Sequence, residues 1–253
     1  MMFEVSGDLL FLLIVAAFAA GFIDSIAGGG GLITVPALLL AGIPPVTALA
    51  TNKVQALFGS GMAAVNYARA GYVDVRRQWV AAVISFAGAL IGALFASSLP
   101  TDVIRLGLPV LLIGVALFFA FKKGLDDVDR VQRVTPLLFT AAFVPLIGFY
   151  DGLIGPGTGA FFMIGFVSLA GYGILKATAH TKLLNFASNV GGLTGFLLVA
   201  KPFWMLGLAM GAAQLAGAYV GSTLASRIGA KLIRPVLVVV STVLALKLLW
   251  DLI

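Results

Sequence analysis

Apolar and polar positions alternate along this chain in long blocks rather than singly. Stretches of about 20 apolar residues, long enough to span a bilayer as α-helix, are separated by short polar breaks from Leu9 onward. Backbone in lipid must hydrogen-bond within its own segment, so each block is predicted to be a helix. The period-two alternation of a membrane-barrel strand is absent. The first half is expected to hold helices at about Leu9–Ala27, Leu32–Ala41, Val46–Ala70, Trp79–Leu99 and Val103–Phe121. The second is expected to hold them at about Pro136–Ile154, Ala160–Ala170, Ala177–Val199, Phe203–Ala225 and Leu232–Ile253. The second element of each half is short, a broken helix rising only about 15 Å, or half a bilayer.

The pattern repeats. Shifted by 129 residues, Lys53 falls on Lys182, Gly88 on Gly217, Gly92 on Gly221 and Arg105 on Arg234. Eight of nineteen positions are identical between Ala87–Arg105 and Ala216–Arg234, and six of seventeen between Leu40–Ala56 and Leu169–Asn185. Nearer the start the offset is 127, with Gly21-Phe22-Ile23-Asp24 matching Gly148-Phe149-Tyr150-Asp151 ahead of a glycine-rich break in both halves. A duplicated apolar chain is a common build for secondary transporters. The expected organisation is a first transmembrane repeat over 1–121, a charged cytoplasmic linker over 122–135 and a second repeat over 136–253.

Composition agrees. The chain is 61% hydrophobic and 10% charged, against about 25% charged in soluble domains. The net charge of +6 sits in short loops between apolar blocks, a membrane-orientation pattern and not a nucleic-acid footprint. Cysteine is absent and there is one histidine, so no metal, cofactor or disulfide is expected. A membrane enzyme would need clustered His, Asp or Arg at one face, so the chain is read as a non-enzyme.

Charge also orients the segments. Five crossings per half with the N-terminus outside place Arg69, Arg76, Arg77, Lys122, Lys123, Arg130, Arg133, Lys176, Arg227, Lys231 and Arg234 in the cytoplasm and Ile253 outside. Four crossings would move Arg227, Lys231 and Arg234 to the wrong side. The expected fold is therefore an all-α polytopic membrane protein of two inverted repeats, about five transmembrane segments each.

Lys53 and Lys182 begin the long third element of each half. An ionised side chain at membrane depth needs a partner or a wet cavity. Asn52, Gln55, Gly59 and Asn66 fall on one helical stripe, and Lys182, Asn185 and Asn189 on another. Two readings stand. Either Lys53 and Lys182, with Asn52, Thr181, Asn185, Gln55 and Asn189, form a cationic centre that binds an anion, or the lysines pair with Asp24 or Asp151 and the amides join helices. The breaks Gly28–Gly31 and Gly155–Gly159 each precede a short helix, whose free N–H groups suit an anion, so Gly29, Gly30, Gly155 and Gly157 join the candidates. Asp24, Asp151 and His180 are candidates for coupling to protons. Gly88-x-x-x-Gly92 and Gly217-x-x-x-Gly221 read as packing ridges, and Arg105 and Arg234 as interfacial anchors.

These motifs carry a resemblance. The run Gly21 to Leu32, then Pro36, then Ala48-Leu49-Ala50-Thr51-Asn52-Lys53, with Gly148-Phe149-Tyr150-Asp151-Gly152 and Lys176 to Asn185 in the second half, resembles the sulfite exporter TauE/SafE family, most closely its YfcA-type branch. The resemblance covers nearly the whole chain. It implies a multi-pass permease of the bacterial inner membrane that exports sulfite, organosulfonates or related anions. The family's glycine-rich and Asn-Lys motifs map onto Gly28–Gly31, Asn52 and Lys53, with Gly155, Gly157, Thr181 and Lys182 as counterparts. The expected activity is alternating-access transport of a small, sulfur-containing anion, with a non-transporting membrane scaffold as the alternative. Expected partners are that anion and the lipid bilayer, with a second copy of the chain as a further candidate and no nucleic acid.

Overall fold

A computed structural model describes residues 7–98 and 125–250, together with Leu117 and Phe121. The rest of the first half's fifth element, with Arg105, and also Lys122, Lys123 and Ile253, lie outside the described residues. Among the described residues there are nine α-helices, a 3-10 turn over Ala96–Ser98 that continues the fourth of them, and no strand. They are α1 (Gly7–Ala27), α2 (Gly31–Leu40), α3 (Pro45–Arg69), α4 (Val75–Phe95), α5 (Pro136–Leu153), α6 (Thr158–Ser168), α7 (Ile174–Val199), α8 (Trp204–Ile228) and α9 (Ala230–Trp250). α1, α4 and α5 are long and apolar enough to cross a membrane.

Local chemistry sets the ends. Pro45 opens α3, where its missing N–H is not needed. The Asp74 carboxylate accepts the Arg76 and Arg77 N–H groups and caps α4. α5 widens into a π turn over Phe139–Phe143, just ahead of Pro145, which has no N–H to offer the preceding turn.

Burial is inverted relative to a water-soluble protein. Phe11, Leu146 and Met205 are 71%, 63% and 84% exposed, while Lys53 and Lys182 are 2% and 0% exposed. The apolar rim suits lipid, and the polar groups face one another inside.

Contacts fix how the helices run. Along α3 and α7 they run in opposite senses, with Lys53 against Asn189 and Gly61 against Phe186. Along α4 and α7 they run in the same sense, from Gln78 with His180 through Ser85 with Leu184 to Leu90 with Gly195. α8 follows α3, from Val54 with Gly207 to Asn66 with Ser222. α8 also follows α1, from Phe18 with Gly217 to Phe22 with Gly221, and α5 follows α4, from Pro145 with Gly88 to Phe149 with Gly92. So α1, α3 and α8 point one way, and α4, α5 and α7 the other.

The packing is reciprocal. The fourth helix of each half lies between the first and third helices of the other half. Glycine permits this closeness. A Cβ on Gly88 would lie 2.6 Å from the Pro145 carbonyl oxygen, and one on Gly217 would strike the Phe18 carbonyl, so both ridges press on backbone.

The described part of the linker is tied down. Asp127 accepts the Leu175 N–H at 3.2 Å and the Ala230 N–H at 2.9 Å, joining the starts of α7 and α9. Asp129 accepts the Gly173 N–H and pairs with Lys176. Burial works to raise the Asp129 carboxyl, but the Gly173 N–H and the Lys176 ammonium outweigh it and hold the group below the usual carboxylate range. A depressed folded value means that this contribution is full above the unfolded value, about 3.9, and is lost as pH falls through the folded value. The pair is half exposed, so its worth is below about 1 kcal/mol. Asp129→Asn is expected to lower the thermal midpoint slightly at neutral pH, and the difference from wild type should narrow progressively as pH falls below about 3.9. A difference that does not narrow on acidification would contradict the clamp.

Candidate functional site

Two glycine breaks meet at the centre of the molecule. Gly28 and Gly29 turn the first with φ of 78° and 98°, and Gly155 and Gly157 turn the second with φ of 90° each. These are left-handed values that residues with a Cβ adopt only with strain. The breaks abut: a Cβ on Gly159 would lie 2.8 Å from the Gly28 Cα. Each break lets a short helix, α2 or α6, begin in the interior.

Beside each break stands an ion pair, and the pairs are crossed. Lys53 of the first half reaches Asp151 of the second, Nζ to Oδ1, at 2.8 Å. Lys182 of the second reaches Asp24 of the first, Nζ to Oδ2, at 3.4 Å. All four side chains are buried. Buried charges hold only when paired and hydrogen-bonded. Lys53 also donates to Asn189 Oδ1 at 3.2 Å. Asp24 Oδ1 accepts the Gly30 N–H at 3.1 Å, and Asp151 Oδ1 accepts the Thr158 hydroxyl at 2.8 Å.

Between them lies a cavity of about 20 Å³, room for one or two waters. Asp24, Lys53, Asp151, Asn52, Asn185, Asn189, Gly29, Gly30, Gly155 and Gly157 line it. An ammonium has three donors. Lys53 uses two on the protein groups just named, leaving one beside the cavity. Chemically, this is a small polar chamber that is neutral when both pairs are made, with one Lys53 N–H left over beside it.

The remaining candidates stand apart from the chamber wall. Lys182 lies behind Asp24 and Gly159. Gln55 donates to Asn52 Oδ1 at 2.9 Å, and the Thr181 hydroxyl is buried without a partner. His180 lies elsewhere. Its ring packs on Tyr172 and Phe166 at 4.9 and 5.5 Å, and it borders a separate cavity of about 650 Å³ with Arg77, Gln78 and Lys176. Arg234 lies near the start of α9, one turn beyond the Ala230 N–H that Asp127 holds.

The family model for the sulfite exporter TauE/SafE family matches residues 13–248. The chain belongs to this family. The match takes in both crossed pairs and both glycine breaks. The probable membrane transporter protein ORF9 of Sinorhizobium sp is 58% identical over 248 residues, 98% of this chain and 95% of its own length. The probable membrane transporter protein YfcA of Escherichia coli K12 is 46% identical over 250 residues, covering 99% of this chain and 93% of that protein. The sulfite exporter TauE/SafE family protein 6 of Arabidopsis thaliana is 34% identical over 105 residues, 41% of this chain and 24% of that protein. No solved structure matches. TauE/SafE is a membrane-transporter family, and this member is read as one.

Three residues of this TauE/SafE member escape a reading of the sequence. Thr34 donates to Asn52 Oδ1 at 2.6 Å, Thr158 holds Asp151, and Gln214 lines the chamber. The repeat offers no signal for them, since their counterparts are Phe161, Gly31 and Ser85. Gln214 has one available cue: it is the sole amide in α8, in the middle of an apolar stretch from Trp204 to Ala218.

Proposed function

We propose that the chain is an alternating-access carrier of a small sulfur-containing anion, sulfite or a sulfonate, in a bacterial inner membrane. The observation that carries this reading is the crossed pair of buried lysines and aspartates around a small polar chamber. An arriving anion competes with a carboxylate for the Lys53 ammonium and finds the Asn52, Asn185 and Asn189 amides in reach. The family description, sulfite exporter, favours a sulfur oxyanion.

The halves are inverted repeats in this reading. Equivalent helices α1 and α5, α3 and α7, and α4 and α8 point in opposite senses, as a two-fold axis in the membrane plane requires. α1 and α3 point the same way, so α2 carries the chain back between them, as a half of five segments needs. Arg69, Arg76, Arg77, Arg130, Arg133, Lys176, Arg227 and Lys231 gather at one end of the molecule, which is then cytoplasmic. Each ion pair joins one half to the other, so exchanging a carboxylate for an anion loosens the grip between halves and lets them rock.

Counterflow into proteoliposomes tests the reading. Labelled sulfite or methanesulfonate should enter vesicles preloaded with the same anion at least about tenfold faster than protein-free vesicles. Rates equal to protein-free vesicles for both anions would remove sulfur oxyanions as the cargo.

A further inference from the structure

The two ion pairs are equivalent by repeat but not by hydrogen bonding. Both oxygens of Asp24 are engaged: Oδ1 by the Gly30 N–H and Oδ2 by Lys182. On Asp151, Oδ1 takes both Lys53 and Thr158, while Oδ2 is buried with no partner. A buried carboxylate oxygen without a donor is costly. The Thr158 hydroxyl sharpens the point. Its single proton faces two acceptors, the Gly155 carbonyl at 2.6 Å and Asp151 Oδ1 at 2.8 Å, and serves one at a time. Given to Gly155, it leaves Asp151 the poorer.

Charge balance gives this asymmetry a use. With Lys53, Lys182, Asp24 and Asp151 all ionised, the chamber is neutral. Adding a monoanion leaves one buried negative charge uncompensated, which is expensive at membrane depth. One proton restores neutrality. Asp24 has no vacant oxygen to offer, since the Gly30 N–H holds one and the Lys182 ammonium the other. Asp151 has a vacant oxygen and, once its Lys53 is taken by the anion, no counter-charge.

We propose that Asp151 is the proton-coupling residue of the anion cycle, taking one proton on Oδ2 as a monoanion displaces its carboxylate from Lys53. This rests on the anion reading above. The other charged groups facing Asp151 are Lys53 from α3 and, across the chamber, Asp24 with Lys182 behind it. Thr158 of α6 and the titratable Tyr150 of α5 are its uncharged neighbours, and Asn185 and Asn189 of α7 line the same chamber. The proton joins the carboxylate to form a neutral acid, Lys53 exchanges one anion for another, and the loaded and empty chambers carry equal charge. Transport is then one proton per monoanion and electroneutral.

Two measurements separate this from the anion reading. The first is spectroscopic. The infrared difference between purified protein with and without saturating methanesulfonate, at one pH, should contain a carboxylic C=O band that Asp151→Asn removes, Asp24→Asn keeps and Asp151→Glu shifts. Methanesulfonate bound, by calorimetry, with no such band or with one that survives Asp151→Asn overturns the proposal, whereas no binding removes the anion reading instead. The second uses methanesulfonate, a permanent monoanion, in proteoliposomes with the voltage clamped at zero. A pH gradient should drive accumulation by about tenfold per pH unit, and Asp151→Glu should retain that dependence. Voltage-driven uptake without proton movement overturns the proposal while leaving the anion site standing. A band with no movement of sulfite or methanesulfonate upholds the proton site and removes the cargo.

Discussion

Lys53→Ala on its own is expected to destabilise the protein by about 3–5 kcal/mol, because it leaves the Asp151 carboxylate buried without its cation. Asp151 is 2% exposed, and its Oδ2 already lacks a partner, so solvent cannot make good the loss. Lys53→Ala/Asp151→Ala should recover most of it, since no lone charge remains. Lys182→Ala should cost less than Lys53→Ala, because Asp24 keeps the Gly30 N–H and its lysine contact is longer, 3.4 against 2.8 Å. Denaturant unfolding in detergent micelles measures all of these, and a double-mutant cycle isolates the pair. Additive effects of Lys53→Ala and Asp151→Ala would show that the pair is not a unit.

The second large effect is steric. Leucine at Gly217 or Gly92 is expected to abolish folded protein in the membrane. Even a Cβ at either site would strike a main-chain carbonyl, of Phe18 or of Phe149, and backbone in a packed helix pair cannot step aside as a flexible side chain can. Alanine at these sites should already cost about 1–3 kcal/mol. Gly7→Ala is the control, with open space around it. The two ridges are equivalent by repeat, so their losses should be alike. Folded yield by fluorescence-detected size exclusion measures the effect. Normal yield of Gly217→Leu would mean that α1 and α8 do not approach as described.

Much of this arrangement is legible in the chain itself. The paired lysines, the glycine breaks, the ridges at Gly88 and Gly217 and the short second helices all repeat at a near-constant offset, and a repeat amplifies a weak signal. The sequence leaves open which aspartate meets which lysine. Pairing within a half and pairing across halves fit the same spacing, and only the opposed directions of α3 and α7 select the crossed arrangement. His180 illustrates a second limit. It stands two residues before Lys182, which is about 200° around a helix, so Lys182 turns toward Asp24 while His180 turns toward Tyr172. Thr158 and Gln214 are hidden for a third reason. They are ordinary polar residues in apolar helices, and their repeat partners, Gly31 and Ser85, give no hint of the chamber.

In the proposed cycle a buried cation from one half, offered across to the other, binds the transported anion. Sulfite counterflow in Lys53→Ala/Asp151→Ala proteoliposomes, with Asp151→Asn as the control for the lost carboxylate, isolates that cation, because the double variant leaves no lone buried charge at this pair. Counterflow is expected to be no faster than in protein-free vesicles, beside clear counterflow by wild type. Wild-type rates in the folded double variant would rule the Lys53 ammonium out as the anion's binding group.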